Sequence, residues 1–562
     1  MAKTICEDLL DLLGGVCVRE IFGVTGDALN PLVDAIRRDG RFHWITVRHE
    51  EAGAFAAAAQ AKLTGKLAVC AGTVGPGALH LLNGLYDAKR DRAPVLAITG
   101  QVPEAEYGSG YFQEVDLESV FSDVCVFNQT VRSAEQFQRL AQQAVRAAID
   151  HQGVAHLSIP VDIISMKVPD DDHKRKVFYH PRPLQPEEGA IEEAAAGLNS
   201  ARRVTVLIGD GARGAESEIL EAAERLQAPV VHTLKGSDVL PFENPYRVGG
   251  IGHLGTPQGL KALDDCDTLL MVGADFPYRA FLPKGVAIVQ IDTNAGHIGR
   301  RCAVTHALLG HAQPTLAMLN QKLEAKTDSS FLAKIQGMSE EWTGRLDRWS
   351  DVARSRDMIH PQAVIRLAGE LANDDAIFVA DVGTVTVWAA RHLRLRSGQR
   401  LFGSFNHGSL GVALPGALGM QSVDRGRQVL ALCGDGAFGM LMTDFITAVK
   451  YDLPVTVIVL NNEKFSFVEL EMQASGFPRF ATDLANPDFA EFARGCGGEG
   501  IRISNPNEIK DAITAGLESR QPTLIDAVVN PDELILPPKI DAKHAIGYAV
   551  GKMKELWLEH TP

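Results

Sequence analysis

Short runs of β-branched and aliphatic residues recur along this chain, most closing on a glycine, asparagine or aspartate turn before a stretch of helical periodicity. Residues 67–71, 95–99, 204–208, 269–272 and 377–380 are such runs. Four to eight apolar residues without polar alternation read as a strand buried on both faces. Strands alternating with helical patterns need crossover connections, and these bury a parallel sheet between two layers of helix. The chain is therefore limited to an α/β fold of doubly wound parallel sheets.

At 562 residues the chain has length for about three to four domains. Two polar breaks divide it: residues 169–189, dense in proline and charge, and residues 325–361, with one helical stretch. The division predicts domains at 1–170, 185–330 and 345–530, then a short helical tail at 531–562. No short-period repeat is present, although the first and third segments have similar lengths and both place glycine-rich loops after buried strands. A net charge of −15 opposes a polyanionic partner, so no nucleic acid is expected. The eight cysteines are scattered without a CxxC pair, which argues against a zinc or disulfide framework. The N-terminus lacks the apolar core of a signal peptide and no run approaches a membrane span, so the expectation is a cytoplasmic enzyme.

Chemistry concentrates at a few strand ends. Residues 428–433 read as a strand delivering Asp435, within Gly434-Asp435-Gly436, to its carboxyl end; residues 455–460 deliver Asn461-Asn462. Ligands of an open parallel sheet sit at those ends. One carboxylate and one amide oxygen meet there, and glycine on either side of Asp435 admits close backbone approach. Hard oxygen ligands beside a phosphate suit magnesium. In the first segment, His49-Glu50-Glu51 closes a strand at 44–47 and precedes an alanine-rich helix at 52–63. Taken alone, a carboxylate there reads equally as a helix cap or a solvated charge. The central segment carries Gly209-Asp210-Gly211-Ala212-Arg213-Gly214 after a strand, a dinucleotide fingerprint. The acidic residue required about 20 positions later is missing, so the reading as an NAD site is rejected.

The Gly434-to-Asn462 arrangement resembles the diphosphate-anchoring motif of thiamine diphosphate enzymes. Val47-Arg48-His49-Glu50-Glu51, Ala61-Lys62-Leu63-Thr64-Gly65-Lys66, Asn83-Gly84-Leu85-Tyr86-Asp87-Ala88 and Pro94-Val95-Leu96-Ala97-Ile98 together resemble the thiamine diphosphate- and FAD-dependent pyruvate oxidase family. Gly108-Ser109-Gly110-Tyr111-Phe112-Gln113-Glu114 and Ser404-Phe405-Asn406-His407-Gly408-Ser409 are similar to its bacterial pyruvate:quinone oxidoreductase branch. The similarity runs from about residue 3 to about residue 540.

The resemblance implies two thiamine diphosphate-binding domains flanking a central FAD domain. It implies that Asp435, Asn462 and a carbonyl near Lys464 hold magnesium on the diphosphate. Gly436, Ala437, Phe465, Ser466, Phe467 and Val468 accompany them at the cofactor. Gly408, Ser409 and Leu410 bring a bulky apolar side chain that bends the cofactor, and Glu50 faces its aminopyrimidine, with Glu51 as the neighbouring control. Val382, Phe467 and Glu471 lie near the reacting carbon, and Phe112 and Gln113 enter from the other domain. For FAD it points to Ile251, Gly252, His253 and Leu254; to Ala274, Asp275, Phe276, Pro277 and Tyr278; to Arg279 on the pyrophosphate; and to Asp292 on a ribose. Gly310-His311 departs from the usual Gly-Asp at the end of this domain.

The implied activity is oxidative decarboxylation of pyruvate to acetate and carbon dioxide, with electrons passing through FAD to a membrane quinone. The alternatives are a phosphate-dependent pyruvate oxidase forming acetyl phosphate and peroxide, an acetolactate synthase-like carboligase, and a non-catalytic flavin-binding scaffold or sensor. A homo-oligomer, dimer or tetramer, is implied. From Ala542 an apolar stripe (542, 545, 546, 549, 550, 553, 556, 557) resembles the start of a lipid-binding tail, which would place the protein peripherally on the inner membrane face. Its lysines are offset by Asp541, Glu555 and Glu559, and a helix folded against its own domain has equal weight.

Overall fold

The computed structural model describes residues 3–169, 183–354 and 357–533, with residues 548, 550, 552, 554 and 555 of the tail. Three six-stranded parallel sheets account for all eighteen strands of the described residues. The first holds β1 (Glu20–Gly23), β2 (His43–Thr46), β3 (Ala68–Gly72), β4 (Val95–Gln101), β5 (Cys125–Thr130) and β6 (Val154–Pro160), in the order β2-β1-β3-β4-β6-β5. The second holds β7 (Val204–Ile208), β8 (Val230–His232), β9 (Arg247–Gly250), β10 (Thr268–Val272), β11 (Ala287–Asp292) and β12 (His306–Leu309), in the order β12-β11-β10-β7-β8-β9. The third holds β13 (Ile377–Ala380), β14 (Arg400–Gly403), β15 (Val429–Gly434), β16 (Thr456–Asn461), β17 (Glu499–Ile503) and β18 (Thr523–Val528), in the order β14-β13-β15-β16-β18-β17.

The first and third sheets share one topology. The central sheet instead has the order of dinucleotide-binding folds. Each sheet has a central point at which the direction of winding reverses: between β1 and β3, between β7 and β10, and between β13 and β15. A crevice opens at the carboxyl ends of the strands at such a reversal. Every residue of β3, β4, β6, β7 and β10 is buried, which is why these strands lack polar alternation.

The first and third sheets are joined through two helices of small residues. The helix Glu50–Thr64 is alanine-rich and packs on the helix Ala413–Val423. Contact is close enough that a Cβ on Gly419 would collide with the backbone of Ala56. A buried ion cluster tightens the junction: Lys62 Nζ lies 2.5 Å from Asp87 and 2.6 Å from Asp91, while Lys235 of the central domain reaches Asp91 at 3.1 Å and Asp210 at 2.7 Å. The expected helix of the second break is Ser330–Trp349. All eight cysteines are unpaired, four of them buried. No helix of the described residues is long and apolar enough to cross a membrane. Of the apolar stripe in the tail only Val550 is described, so most of the expected lipid-binding segment lies outside the described residues.

Candidate active site

Asp435 opens the helix Asp435–Leu441 directly after β15, at the reversal of the third sheet, and is 3% exposed. Its Oδ2 accepts from the backbone N–H groups of Asn462 (3.1 Å) and Glu463 (2.6 Å) and from Asn486 Nδ2 (2.8 Å), and its Oδ1 from Gly436 N–H (2.8 Å). Burial raises its pKa, and these four donors oppose the rise. A buried carboxylate still destabilised in its charged form favours a cation beside it. The two asparagines divide the work. Asn461 is buried and donates to Asp526 (2.9 Å), so it belongs to the sheet. Asn462 is half-buried; its Nδ2 donates to Ser466 (2.5 Å), and its oxygen accepts from Lys464 N–H at 3.3 Å. The Lys464 carbonyl accepts from Ser466 N–H (3.0 Å) and keeps a second lone pair. One carboxylate, one amide oxygen and one carbonyl form a hard-oxygen set that fits magnesium with phosphate completing the shell. Gly436 is required here because a Cβ would strike the Phe465 ring. Ala437 is buried behind it, and Val468 is exposed on the following helix Ser466–Ala474.

Glu50 is the first residue of its helix, 7% exposed, and its Oε2 lies 2.9 Å from His80 Nδ1. His49 caps the helix by accepting from Glu51 N–H and stacks on His80 at 4.3 Å. A side chain at Gly77 would close on Glu50 Oε1, so glycine leaves that oxygen accessible. Asn83 then links two domains. Its Nδ2 donates to Glu51 Oε1 (2.6 Å) and Ser409 Oγ (2.9 Å), and its Oδ1 faces His407 Nε2 (2.8 Å). Glu51 is thus engaged with Asn83 and is not a neutral control. Ser409 and the half-buried Leu410 lie between Gly408 and Gly411, both at φ near +80°, which fixes the turn that presents them. Asp381, between β13 and Val382, is fully enclosed; its Oδ1 accepts from Ala413 N–H (3.2 Å), and burial pushes its pKa up to about 7.

A cleft of about 1770 Å³ connects the third domain to the central one. Val382, Gly408, Phe467 and Glu471 line one end; Ile251, Gly252, His253, Leu254, Asp275, Phe276, Pro277, Tyr278 and Asp292 line the other. The central reversal opens into it, and there Gly209, Gly211 and Gly273 pack backbone on backbone with no room for a Cβ. Ala274 is buried behind this lining, and Arg279 lies outside it, exposed and donating to the Arg301 carbonyl (3.1 Å). Arg300 and Arg301 line the cleft instead and pair with Asp275, as does Arg92 of the first domain. Burial works against ionisation of Asp275, but Arg301 and Arg300 outweigh it and hold its pKa below the ordinary value. His311 faces away, accepting from Leu184 N–H (2.9 Å), so the Gly310-His311 departure ties down the preceding linker.

Glu50, Asp435, Asn462 and Leu410 do not line this cleft. Gln113 sits at φ +63° near Gly75, and Phe112 is 79% exposed. Tyr548 of the tail lines the cleft, and Glu555 accepts from Gln473 Nε2 and Arg479 N–H, both at 2.9 Å, so these tail residues lie against the end of the helix Ser466–Ala474. Sequence reasoning did not single out His80, Asn83, Asn486, Arg300 or Arg301. Only Asn83 carried a signal, inside the quoted Asn83-Gly84 motif.

Comparison with known proteins agrees with this geometry. The thiamine pyrophosphate enzyme models match in chain order: the N-terminal TPP binding domain over residues 3–120, the central domain over 191–319 and the C-terminal TPP binding domain over 381–527. A putative thiamine pyrophosphate-containing protein of Bacillus subtilis is 39% identical over 99% of this chain and 96% of its own length. The chain belongs to the thiamine pyrophosphate enzyme family. A pyruvate oxidase of Lactiplantibacillus plantarum is 32% identical over 93% of this chain and 88% of its own. The acetolactate synthase large subunit of Parasynechococcus marenigrum is also 32% identical, over 94% and 88%.

Proposed function

We propose that this enzyme oxidatively decarboxylates pyruvate to acetate and carbon dioxide and passes the electrons through FAD to a membrane quinone. The observation that carries the reading is the continuous cleft from the central reversal to Val382, Phe467 and Glu471. Its volume and glycine-lined floor fit an extended dinucleotide; Asp292, at a strand end, would hold a ribose hydroxyl, and Arg300 and Arg301 would hold the pyrophosphate. Asp435, Asn462 and the Lys464 carbonyl fit magnesium on the diphosphate. Bound thiamine diphosphate supplies a nucleophilic carbon and an electron sink, and FAD supplies a two-electron acceptor.

The chain's own residues bind, orient and exclude water. Glu50 presents a carboxylate to the aminopyrimidine, and His80 on its other oxygen fixes its direction. Gly408 to Gly411 hold Leu410 where it bends the cofactor. Phe467 and Val382 supply apolar walls that keep water from the reacting carbon, and Glu471 offers a proton-exchanging group at their edge. Phe112 and Gln113 complete the pocket. The exposed Phe112, and the absence of Glu50 and Asp435 from the cleft lining, favour an active homo-oligomer, with a dimer as the minimum and a tetramer as the complete form. Contact with the inner membrane face through the tail belongs to the same proposal.

The test follows the products. Purified protein is given pyruvate, thiamine diphosphate and magnesium with a quinone analogue, and acetate, acetyl phosphate, acetolactate and peroxide are measured. Acetate matched by quinone reduction supports the proposal. A phosphate requirement with peroxide formation replaces it. Acetolactate with no quinone reduction refutes it.

A further inference from the structure

A second cavity, of about 440 Å³, lies between the central and third domains. Its walls come from the end of β9, the start of the helix Pro257–Asp265, the linker helix Ser330–Trp349 and the helix Thr384–His392. The reaction proposed above makes no use of it.

Its electrostatics are unusual. Arg391, on the wall shared with the large cleft, is 6% exposed and has no hydrogen bond or ion pair among the described residues; its Nε and Nη2 are fully buried without a partner. Burial alone lowers its pKa to about 10. Arg247, also on the wall, lies over the Phe242 ring and among the described residues donates to the Ser237 carbonyl alone, at 3.3 Å. Burial lowers its pKa to about 10 as well, against a weaker pull from Asp238. Trp342 Nε1 is a third buried donor without a partner. The positive end of the helix Pro257–Asp265 adds to the same field. The carboxylates on the wall do not cancel it: Asp347 is held by Arg366 and Arg394, and Glu243 and Glu340 are exposed at the rim.

An unpartnered buried guanidinium is costly to fold around unless something answers it. Two guanidiniums, an indole N–H and a helix start offer more donors than the two oxygens of a carboxylate absorb, and arginine matches phosphate in a two-pronged contact. We propose that this cavity binds a phosphate group, free or esterified, with Arg391 and Arg247 as its principal ligands. The cavity adjoins the flavin position, since Ile251, Leu254 and Arg391 line both it and the large cleft, but phosphate binding there does not rest on the proposed reaction, and competition by FAD tells the two positions apart. The helix that ends at Arg391 and His392 begins immediately after Val382 and Gly383, so the bound anion braces the element next to the reacting site.

The test is a titration of inorganic phosphate into the full-length protein, without magnesium and at ionic strength fixed with chloride, read by calorimetry and by thermal shift. Saturable binding is expected. Its dissociation constant rises at least about tenfold in Arg391→Gln and in Arg247→Gln, the loss of one charge-assisted contact. It rises less in Arg391→Lys and does not change in Arg37→Gln, an exposed site on another domain. Glycerol phosphate binding more tightly than inorganic phosphate identifies an ester as the ligand; weaker binding identifies the free anion. Absence of saturable binding, displacement by thiamine diphosphate or FAD, or unchanged affinity in both glutamine variants overturns the proposal.

Discussion

Replacing Asp435 with asparagine separates a metal-holding carboxylate from a structural one, because the two roles predict opposite signs. The side chain keeps its shape, so the three donors on Oδ2 (Asn462 N–H, Glu463 N–H and Asn486 Nδ2) still meet an amide oxygen. On the Oδ1 side, an NH₂ now opposes Gly436 N–H, at 2.8 Å in the native chain, and the negative charge is gone. One charge-assisted contact is worth about 1.5–3 kcal/mol. At 1.4 kcal/mol per tenfold, the magnesium needed for half-saturation of thiamine diphosphate binding should rise roughly 10- to 150-fold. Burial raises the Asp435 pKa, so its charge is a burden on the metal-free fold at neutral pH. Metal-free Asp435→Asn should therefore melt at or above the wild-type temperature. Calorimetric titration of thiamine diphosphate at stepped magnesium concentrations, paired with melting of the metal-free proteins, reads both quantities. A magnesium midpoint within twofold of wild type, or lower metal-free stability, refutes the reasoning.

Lys62→Met leaves Asp87 buried without a cation while Asp91 keeps Lys235, a loss of about 3–5 kcal/mol that should lower the melting temperature by on the order of 10 °C; adding Asp87→Asn should recover part of it, and an unchanged melting temperature in Lys62→Met contradicts the cluster's role. The raised pKa of Asp381 means that the folded state holds a proton which the unfolded chain releases, so its contribution to stability falls as pH rises from about 4 to about 7. Melting curves across that range should slope less steeply in Asp381→Asn, and equal slopes would exclude the assignment. Asn83→Ala removes the link from Glu51 to Ser409 and His407. It should raise the thiamine diphosphate concentration for half-activation several-fold, and an unchanged titration would show that the link does not position the Leu410 turn.

The fold was legible because buried parallel strands leave an unbroken apolar signature. The runs at 204–208 and 377–380 coincide with β7 and β13, and 428–433 is offset from β15 by one residue. Asp435 and Asn462 were legible for the same reason, since each follows directly from a strand end. Residues whose role depends on a distant partner gave no local sign. His80 meets Glu50 only because the helix Pro76–His80 folds over the start of the helix Glu50–Thr64, and Asn486 reaches Asp435 from a loop with no regular pattern. Arg279 shows the converse: next to Tyr278 in sequence, it turns to a backbone carbonyl, while Arg300 and Arg301 reach the cleft from beyond β11. Glu50 and Glu51 illustrate helical geometry, because adjacent residues in one turn point to different neighbours, here His80 and Asn83.

In the proposed reaction Glu50 starts a sequence whose electrons reach a flavin in the neighbouring cleft. Anaerobic mixing of the protein, loaded with thiamine diphosphate, magnesium and FAD, with pyruvate tests it by flavin absorbance. Bleaching is expected in the wild type and persists until a quinone analogue is added. None is expected on the same timescale in Glu50→Gln, with flavin still bound. Bleaching at the wild-type rate in Glu50→Gln, or a wild-type flavin that pyruvate does not reduce, would contradict it.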